Sequence, residues 1–352
     1  MPTGRRKNEG SDWTRRYREG GYDADDAESK QRFSNRSKFA QQVKMRQTAE
    51  LRAGNQEIAG DMAELPLGEV IQVFSLFVEV RVLAAGQGET LIPEMTYLAV
   101  MRRTVQRLAK TDVVVGDWVR IRATGKNHDS GVPEASIEQV LPRRTVLTRQ
   151  DSFHKDRSDV IVANAGQMLI VASILRPAVK WGLVDRMLIA AESGGLRPIV
   201  CLNKMDLADD AVLANATAVL EHYRTLGVQS ITTSVDGKTG LDEVKQCLAD
   251  QTTVLAGHSG VGKSSLIMAI APGLDIRVGE VSNFNDKGRH TTSSARRYEL
   301  PFGGQVIDTP GIKQFGLVDV SVETLTAYFP DVSAGTAPQW REESYRKILE
   351  SL

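Results

Sequence analysis

Residues 257–264 read GHSGVGKS, set between the apolar run TTVLA and the helix-forming stretch KSSLIMAIA. Few strings of this length constrain a fold more. The pattern G-x-x-x-x-G-K-[ST] functions only where a strand ends, the chain turns tightly through glycines, and a helix begins. The glycines let backbone N–H groups close around phosphate oxygens at the helix N-terminus. In this frame Lys263 reaches the β- and γ-phosphates and the Ser264 hydroxyl ligates Mg²⁺, while Gly257, His258, Ser259, Gly260, Val261, Gly262 and Ser265 complete the cradle.

The surrounding chain alternates as such a cradle requires. GQMLIVASIL, RPIVCLNK, QSITTSVD, TTVLAGHSG and GGQVIDTPG read as buried strands. GLVDRMLIAAESGG, AVLANATAVLEHYRTLG, LDEVKQCLAD and KSSLIMAIA read as helices between them. Repeated β–α alternation implies a mostly parallel, three-layer α/β domain, here over 155–320. A short helical C-terminal region, 321–352, follows and ends in EESYRKILESL.

Two further strings sit at strand ends. In VIDTPG, Asp308 is placed to hold Mg²⁺ through its water shell and the Gly311 N–H to contact the γ-phosphate. In NKMD, the Asp206 carboxylate can accept both the N1 and N2 protons of guanine, whereas adenine offers no such pair. Burying that carboxylate against adenine would leave it unpaired, at a cost of about 1–3 kcal/mol or more. Asn203 braces the loop and Lys204 packs along the base, while TTSVDG directs backbone N–H groups near Ser234 and Val235 at the guanine O6. Together these strings describe a GTP-binding, GTP-hydrolysing P-loop domain that takes GTP and GDP with Mg²⁺.

Their order is not the ordinary one. NKMD and TTSVDG precede GHSGVGKS, which precedes DTPG. Site geometry does not depend on where the chain is cut, so a circular permutation keeps the site. It also makes DTPG lead directly into the C-terminal segment, which suggests that nucleotide state pulls on that segment. Switch I is expected in NFNDKGRHTTSSARR, 283–297, with Thr292, or Thr291 beside it, completing the Mg²⁺ shell. Ile312 stands where a water-orienting Gln is common, so His290 is the candidate for polarising the attacking water, with Lys263 and Thr292 as the other catalytic groups.

Ahead of the α/β domain, residues 65–148 carry short β-rich runs: VIQVFSLFVEVRVL, YLAVMR, VVVGDWVRIRAT and EASIEQVLP. Their spacing suggests a small all-β, OB-like barrel that binds RNA. Residues 101–126 hold seven Lys or Arg against two Asp, and Arg143, Arg144 and Arg149 add to this basic side, as phosphate binding requires. Formal charge is zero, 44 basic against 44 acidic residues, which excludes a uniformly cationic nucleic-acid binder but not a local patch. Residues 1–60 are polar, with twelve Lys or Arg against eight Asp or Glu in the first fifty. They read as a disordered basic extension, with a helix around Ser37 to Leu51.

No run approaches the roughly 18 apolar residues of a membrane span, and the N-terminus lacks the apolar core of a secretory signal. A cytoplasmic location is the default expectation. Cys201 and Cys247 are the only cysteines and cannot complete a Cys-rich zinc site.

These strings together resemble the ribosome small-subunit-dependent GTPase A family of circularly permuted GTPases. The resemblance rests on VVVGDWVRI, VLPRRTVLTR, VANAGQMLIVAS, NKMDL, GHSGVGKSSLI, GRHTT and GGQVIDTPGIKQFGL, in that order over about 65–320. It implies an N-terminal OB barrel, a permuted GTPase core, hydrolysis stimulated by the small ribosomal subunit and its rRNA, and a role in late maturation of that subunit. It also aligns His290 with a family histidine preceding paired threonines. Members typically carry a zinc knuckle after the core; the stretch after Phe329 holds neither Cys nor His, so no zinc site is expected. A monomer is expected. The alternative from another class is a GTP-gated RNA-binding or scaffold protein with little hydrolysis. An ATP-dependent kinase sharing the phosphate loop is disfavoured by NKMD.

Overall fold

The computed structural model describes residues 62–74, 77–84, 91, 93–101, 112–150, 158–274, 295–309, 317 and 320–352. The N-terminal extension, including the helix expected around Ser37 to Leu51, and the residues His290, Thr291, Thr292 and Gly311 lie outside them.

Five strands build the parallel heart of the molecule: β8 (Gln167–Ser173), β9 (Arg197–Asn203), β10 (Gln229–Thr232), β11 (Thr252–Ala256) and β13 (Gln305–Asp308). They lie in the order β10–β9–β8–β11–β13 with parallel neighbours throughout. Four helices connect them: α1 (Trp181–Ser193), α2 (Asp210–Thr225), α3 (Leu241–Leu248) and α4 (Lys263–Ile270). Every residue of β8 is buried, as a central strand covered on both faces must be. Its side chains alternate between two cores. Met168, Ile170 and Ala172 join Val200, Leu202 and the inner faces of α1 and α2. Leu169 and Val171 join Ile199, Cys201 and the inner faces of α3 and α4. Each large aliphatic side chain so buried contributes about 1.5–3 kcal/mol.

The four-residue strand β12 (Arg296–Glu299) was not anticipated from the sequence; it runs antiparallel beside β13. Through it the same sheet continues into β1 (Leu67–Val73), β2 (Val78–Ala84), β3 (Thr96–Met101), β5 (Pro133–Val140) and β4 (Trp118–Asn127), with a further β1–β4 pairing. The run VIQVFSLFVEVRVL is therefore two strands, not one: the Phe74 N–H donates to the Phe77 carbonyl at 2.8 Å and folds the run on itself. Val70, Val80, Val82, Ala99, Val119, Ile121 and Ile137 form this unit's own core. The five strands join an eleven-stranded mixed sheet, and the expected OB-like barrel ahead of the α/β domain is not confirmed as a closed barrel. The join is made by β1, which bonds both to its own unit and to β12.

A second two-stranded sheet pairs β6 (Val146–Gln150) with β7 (Ser158–Ala163) where the β-rich region meets the α/β domain. At this junction Arg143 does not offer its charge to an outside partner. Its guanidinium grips the wholly buried Asp117 through two bonds, Nε to Oδ1 at 2.7 Å and Nη2 to Oδ2 at 2.8 Å. Arg144 lays its guanidinium over the Trp118 ring at 4.5 Å. The basic side expected there is thus partly spent on structure, because a carboxylate buried at the turn needs a cation.

The C-terminal residues form α5 (Val322–Leu325), α6 (Pro330–Ser333) and α7 (Gln339–Glu350). Leu325, Phe329 and Ile348 complete the core under α1 and α2. Arg341 of α7, 3% exposed, ion-pairs with Asp185 of α1 and with Asp331 of α6, and its guanidinium lies 4.1 Å from the Phe329 ring. The Tyr223 hydroxyl donates to Asp185 at 2.7 Å, and His222 Nε2 lies 2.7 Å from Asp331.

Candidate functional site

The carboxyl ends of β8, β9, β10, β11 and β13 gather the predicted residues at one edge of the sheet. Gly257 leaves β11 at φ +141°, and a Cβ there would stand 2.2 Å from the Val171 carbonyl oxygen. Gly262, at φ +95°, precedes α4, and its Cβ would meet the Asn203 amide nitrogen at 2.5 Å. Both positions need glycine for two reasons at once, backbone conformation and space. Val261 is buried between them and anchors the loop in the core of α3 and α4.

Lys263 heads α4 and folds over the loop, Nζ donating to the carbonyl of Gly257 at 2.8 Å and of His258 at 3.1 Å. Burial lowers its pKa, which the Asp308 charge opposes. Asp308 ends β13 directly beside Leu255 of β11 and is 4% exposed. Burial pushes its pKa up to about 6 against the pull of Lys263 and a backbone bond at Thr309. Ser264 and the exposed Ser265 stand in the first turn of α4. His258 is exposed and spends Nδ1 on the Ser259 carbonyl at 2.9 Å, in keeping with a spacer role.

The loop after β9 is bonded to this cradle. Asn203, 1% exposed, donates Nδ2 to the Val261 carbonyl at 3.1 Å and accepts from the Thr233 hydroxyl at 3.0 Å. Lys204, in the left-handed region at φ 64°, donates Nζ to the carbonyls of Arg176 and Gly260, each at 2.6 Å. The Met205 N–H reaches the Thr233 carbonyl at 3.1 Å, and the Asp206 carboxylate accepts from the Ser234 hydroxyl. One Asp206 oxygen therefore has a fixed partner that orients the group.

One expectation changes here. The Ser234 N–H is taken by the Thr239 carbonyl at 3.1 Å, in a bridge that closes the turn. Among the described backbone bonds none takes the Val235 N–H, so of the two it is the donor left for a base carbonyl. Two contributors escaped the sequence reading. Thr233 links the loops after β9 and β10, and its place in TTSVDG is a signal that could have found it. The Arg176 carbonyl has no sequence signal, because any residue supplies a carbonyl.

The arrangement can hold a phosphate chain against Lys263 and the α4 N-terminus, with a planar base carrying adjacent donors against Asp206.

Residues 140–318 match the family model described as RsgA GTPase. The Small ribosomal subunit biogenesis GTPase RsgA 1 of Vibrio vulnificus is 39% identical over 226 residues, 64% of this chain and 61% of that protein, less than two thirds of its length. The Small ribosomal subunit biogenesis GTPase RsgA of Pseudomonas aeruginosa is 39% identical over 280 residues, 80% of this chain and 76% of that protein. Among solved structures, YjeQ from Thermotoga maritima superposes with a TM-score of 0.62 at 28% identity, covering 82% of this chain and 98% of that one. YloQ, a circularly permuted GTPase, does so at 0.57 and 25%, covering 83% and 96%.

Proposed function

The chain belongs to the RsgA GTPase family, and on that premise we propose that it hydrolyses GTP to GDP and phosphate, is stimulated by the small ribosomal subunit, and acts late in that subunit's maturation. The observation that carries this is the bonding of two loops into one surface. Lys204 and Asn203 tie the guanine-reading loop to Gly260 and Val261 of the phosphate loop, in a chain permuted between them.

In this reading the Asp206 carboxylate accepts the N1 and N2 protons of guanine and the Val235 N–H meets O6. Lys263 leaves the carbonyls of Gly257 and His258 for the β- and γ-phosphate oxygens, joined by the backbone from Gly257 to Ser265. Hard oxygen donors suit Mg²⁺. The fit is good here, because Asp308 is a buried carboxylate at the end of β13, 4% exposed, beside the strand that leads into the phosphate loop. Ser264 and, through water, Asp308 would hold the ion, with Thr292 completing its shell. Bound there, it would neutralise charge on the phosphates. His290 orients and polarises the attacking water and the Gly311 N–H senses the γ-phosphate; the family resemblance supports the first role.

The partner is the small subunit and its rRNA, met by β1–β5 as an OB-like module. The strand order β1–β2–β3–β5–β4, the added β1–β4 pairing, and the exposed Arg122 and Lys126 on β4 support this. Among the described residues no helix is long and apolar enough to cross a membrane. A cytoplasmic monomer is the state we propose.

The test measures GTP turnover with and without purified small subunits, and co-sedimentation with them in GDP and in a non-hydrolysable GTP analogue. Stimulated turnover and tighter binding in the GTP-like state are expected. Equal binding in both states with no stimulation would defeat the reading.

A further inference from the structure

Strand β12 is four residues long and sits between two partners of unequal strength. It shares four register pairs with β13, from Arg296 with Asp308 to Glu299 with Gln305. With β1 it shares one, Arg296 with Gln72. The backbone therefore holds β12 firmly to the Asp308 strand and loosely to the β1–β5 unit. Side chains make up the difference. Arg297 of β12, its side chain 3% exposed, ion-pairs with Glu69 of β1 and with Glu299 at 2.6 Å. Burial works against the Arg297 charge, yet Glu69 and then Glu299 outweigh it and its pKa rises.

The network does not stop in the interior. Glu299 also accepts from Arg81 of β2, and Arg81 pairs with Glu94, whose side chain is 66% exposed. A polyanion reaching Arg81 competes with Glu299 for it, and Glu299 is shared with Arg297. Charge rearrangement at the surface of the β1–β5 unit is thereby passed to β12. From there four register pairs, one of them Arg296 with Asp308, pass it to the end of β13. Apolar side chains would pack this contact equally well, since buried ion pairs seldom add net stability over an apolar pair.

From these observations we infer that Glu69 and Arg297 are positioning residues, which carry engagement of the β1–β5 unit by the small subunit to Asp308 in the nucleotide site. The inference rests on the proposed function. It makes the ion pair a determinant of stimulated, not basal, turnover.

Two variants test it in the full chain: Glu69→Gln, and the double change Glu69→Leu with Arg297→Met, which removes both charges and keeps the contact filled. Thermal unfolding, basal turnover, stimulated kcat and the half-saturating small-subunit concentration are measured for each. Basal turnover and half-saturation should stay within about twofold of wild type while stimulated kcat falls about tenfold, the size of an ordinary coupling. If Glu69→Gln leaves Arg297 too poorly compensated to fold, the double variant carries the test alone. A double variant that melts like wild type and keeps full stimulated kcat overturns the inference. So does one whose half-saturating concentration rises with kcat unchanged, because that describes a docking contact. Wild-type protein that small subunits do not stimulate overturns the functional reading, and the inference with it.

Discussion

The Lys204 ammonium lies 2.6 Å from the Gly260 carbonyl and, at the same distance, from the Arg176 carbonyl. One side chain thus ties the loop after β9 to the loop between β11 and α4. On the proposed function, base recognition and phosphate binding are then mechanically one event, because neither loop can shift without stretching a charge-assisted bond.

Lys204→Ala should therefore weaken GTP and GDP alike. Losing charge-assisted bonds worth about 1.5–3 kcal/mol raises both Kd values roughly tenfold to a hundredfold. Nucleotide titration checks it, and unchanged affinity for both would remove the brace from the account.

Asp206→Asn changes which base fits. An amide can no longer accept two protons with one planar edge, so GTP affinity should drop about a hundredfold or more. Xanthine, which presents a carbonyl where guanine has its amino group, should gain. Competition between GTP and XTP reads the exchange directly; retained GTP preference would count against Asp206 as the base contact.

Arg341→Ala should unfold the protein more easily than any single surface change. It leaves Asp185 and Asp331, 0% and 3% exposed, without their shared cation. Breaking a buried pair in this way costs about 3–5 kcal/mol. Denaturant unfolding of the two proteins side by side tests this, and a loss below about 1 kcal/mol would mean the network is not holding α7.

Cys201 should resist alkylation in the native state. Burial pushes its thiol up to about 12, opposed by a contact to the Thr233 hydroxyl at 3.5 Å. At pH 8 a thiol of that pKa is only about one part in ten thousand thiolate, and the thiolate is the reactive form. Mass spectrometry after labelling at pH 8 should find Cys201 unmodified until denaturant is added. Rapid native labelling would contradict its place in the sheet.

Much of the proposed site is legible in the sequence because its chemistry is local. GHSGVGKS, NKMD and DTPG each join residue type, spacing and strand-end position within a few residues. Gly257 and Gly262 illustrate why: each is demanded by its own backbone angle. The β–α alternation was equally plain, since strands buried on both faces such as β8 read as continuous apolar runs. Strand β12 was not legible. Four residues reading RRYE carry no apolar period, and they become a strand only because β13 and β1 offer them open edges. The break inside VIQVFSLFVEVRVL was hidden because the run holds none of the Gly, Asn or Pro that usually punctuate one.

What the sequence alone determined is the α/β class of the core and the permuted order of the strings from which the nucleotide site is proposed. Both follow from short-range pattern, which the linear chain displays in full. What only the tertiary structure decided is how charge is spent. Arg143 is drawn to Asp117, Arg341 to Asp185 and Asp331, and Arg297 to Glu69, across separations that no spacing rule reaches. A buried charge must find its partner wherever the fold brings one within reach, so the chain's linear order does not show which of its charges are taken inside.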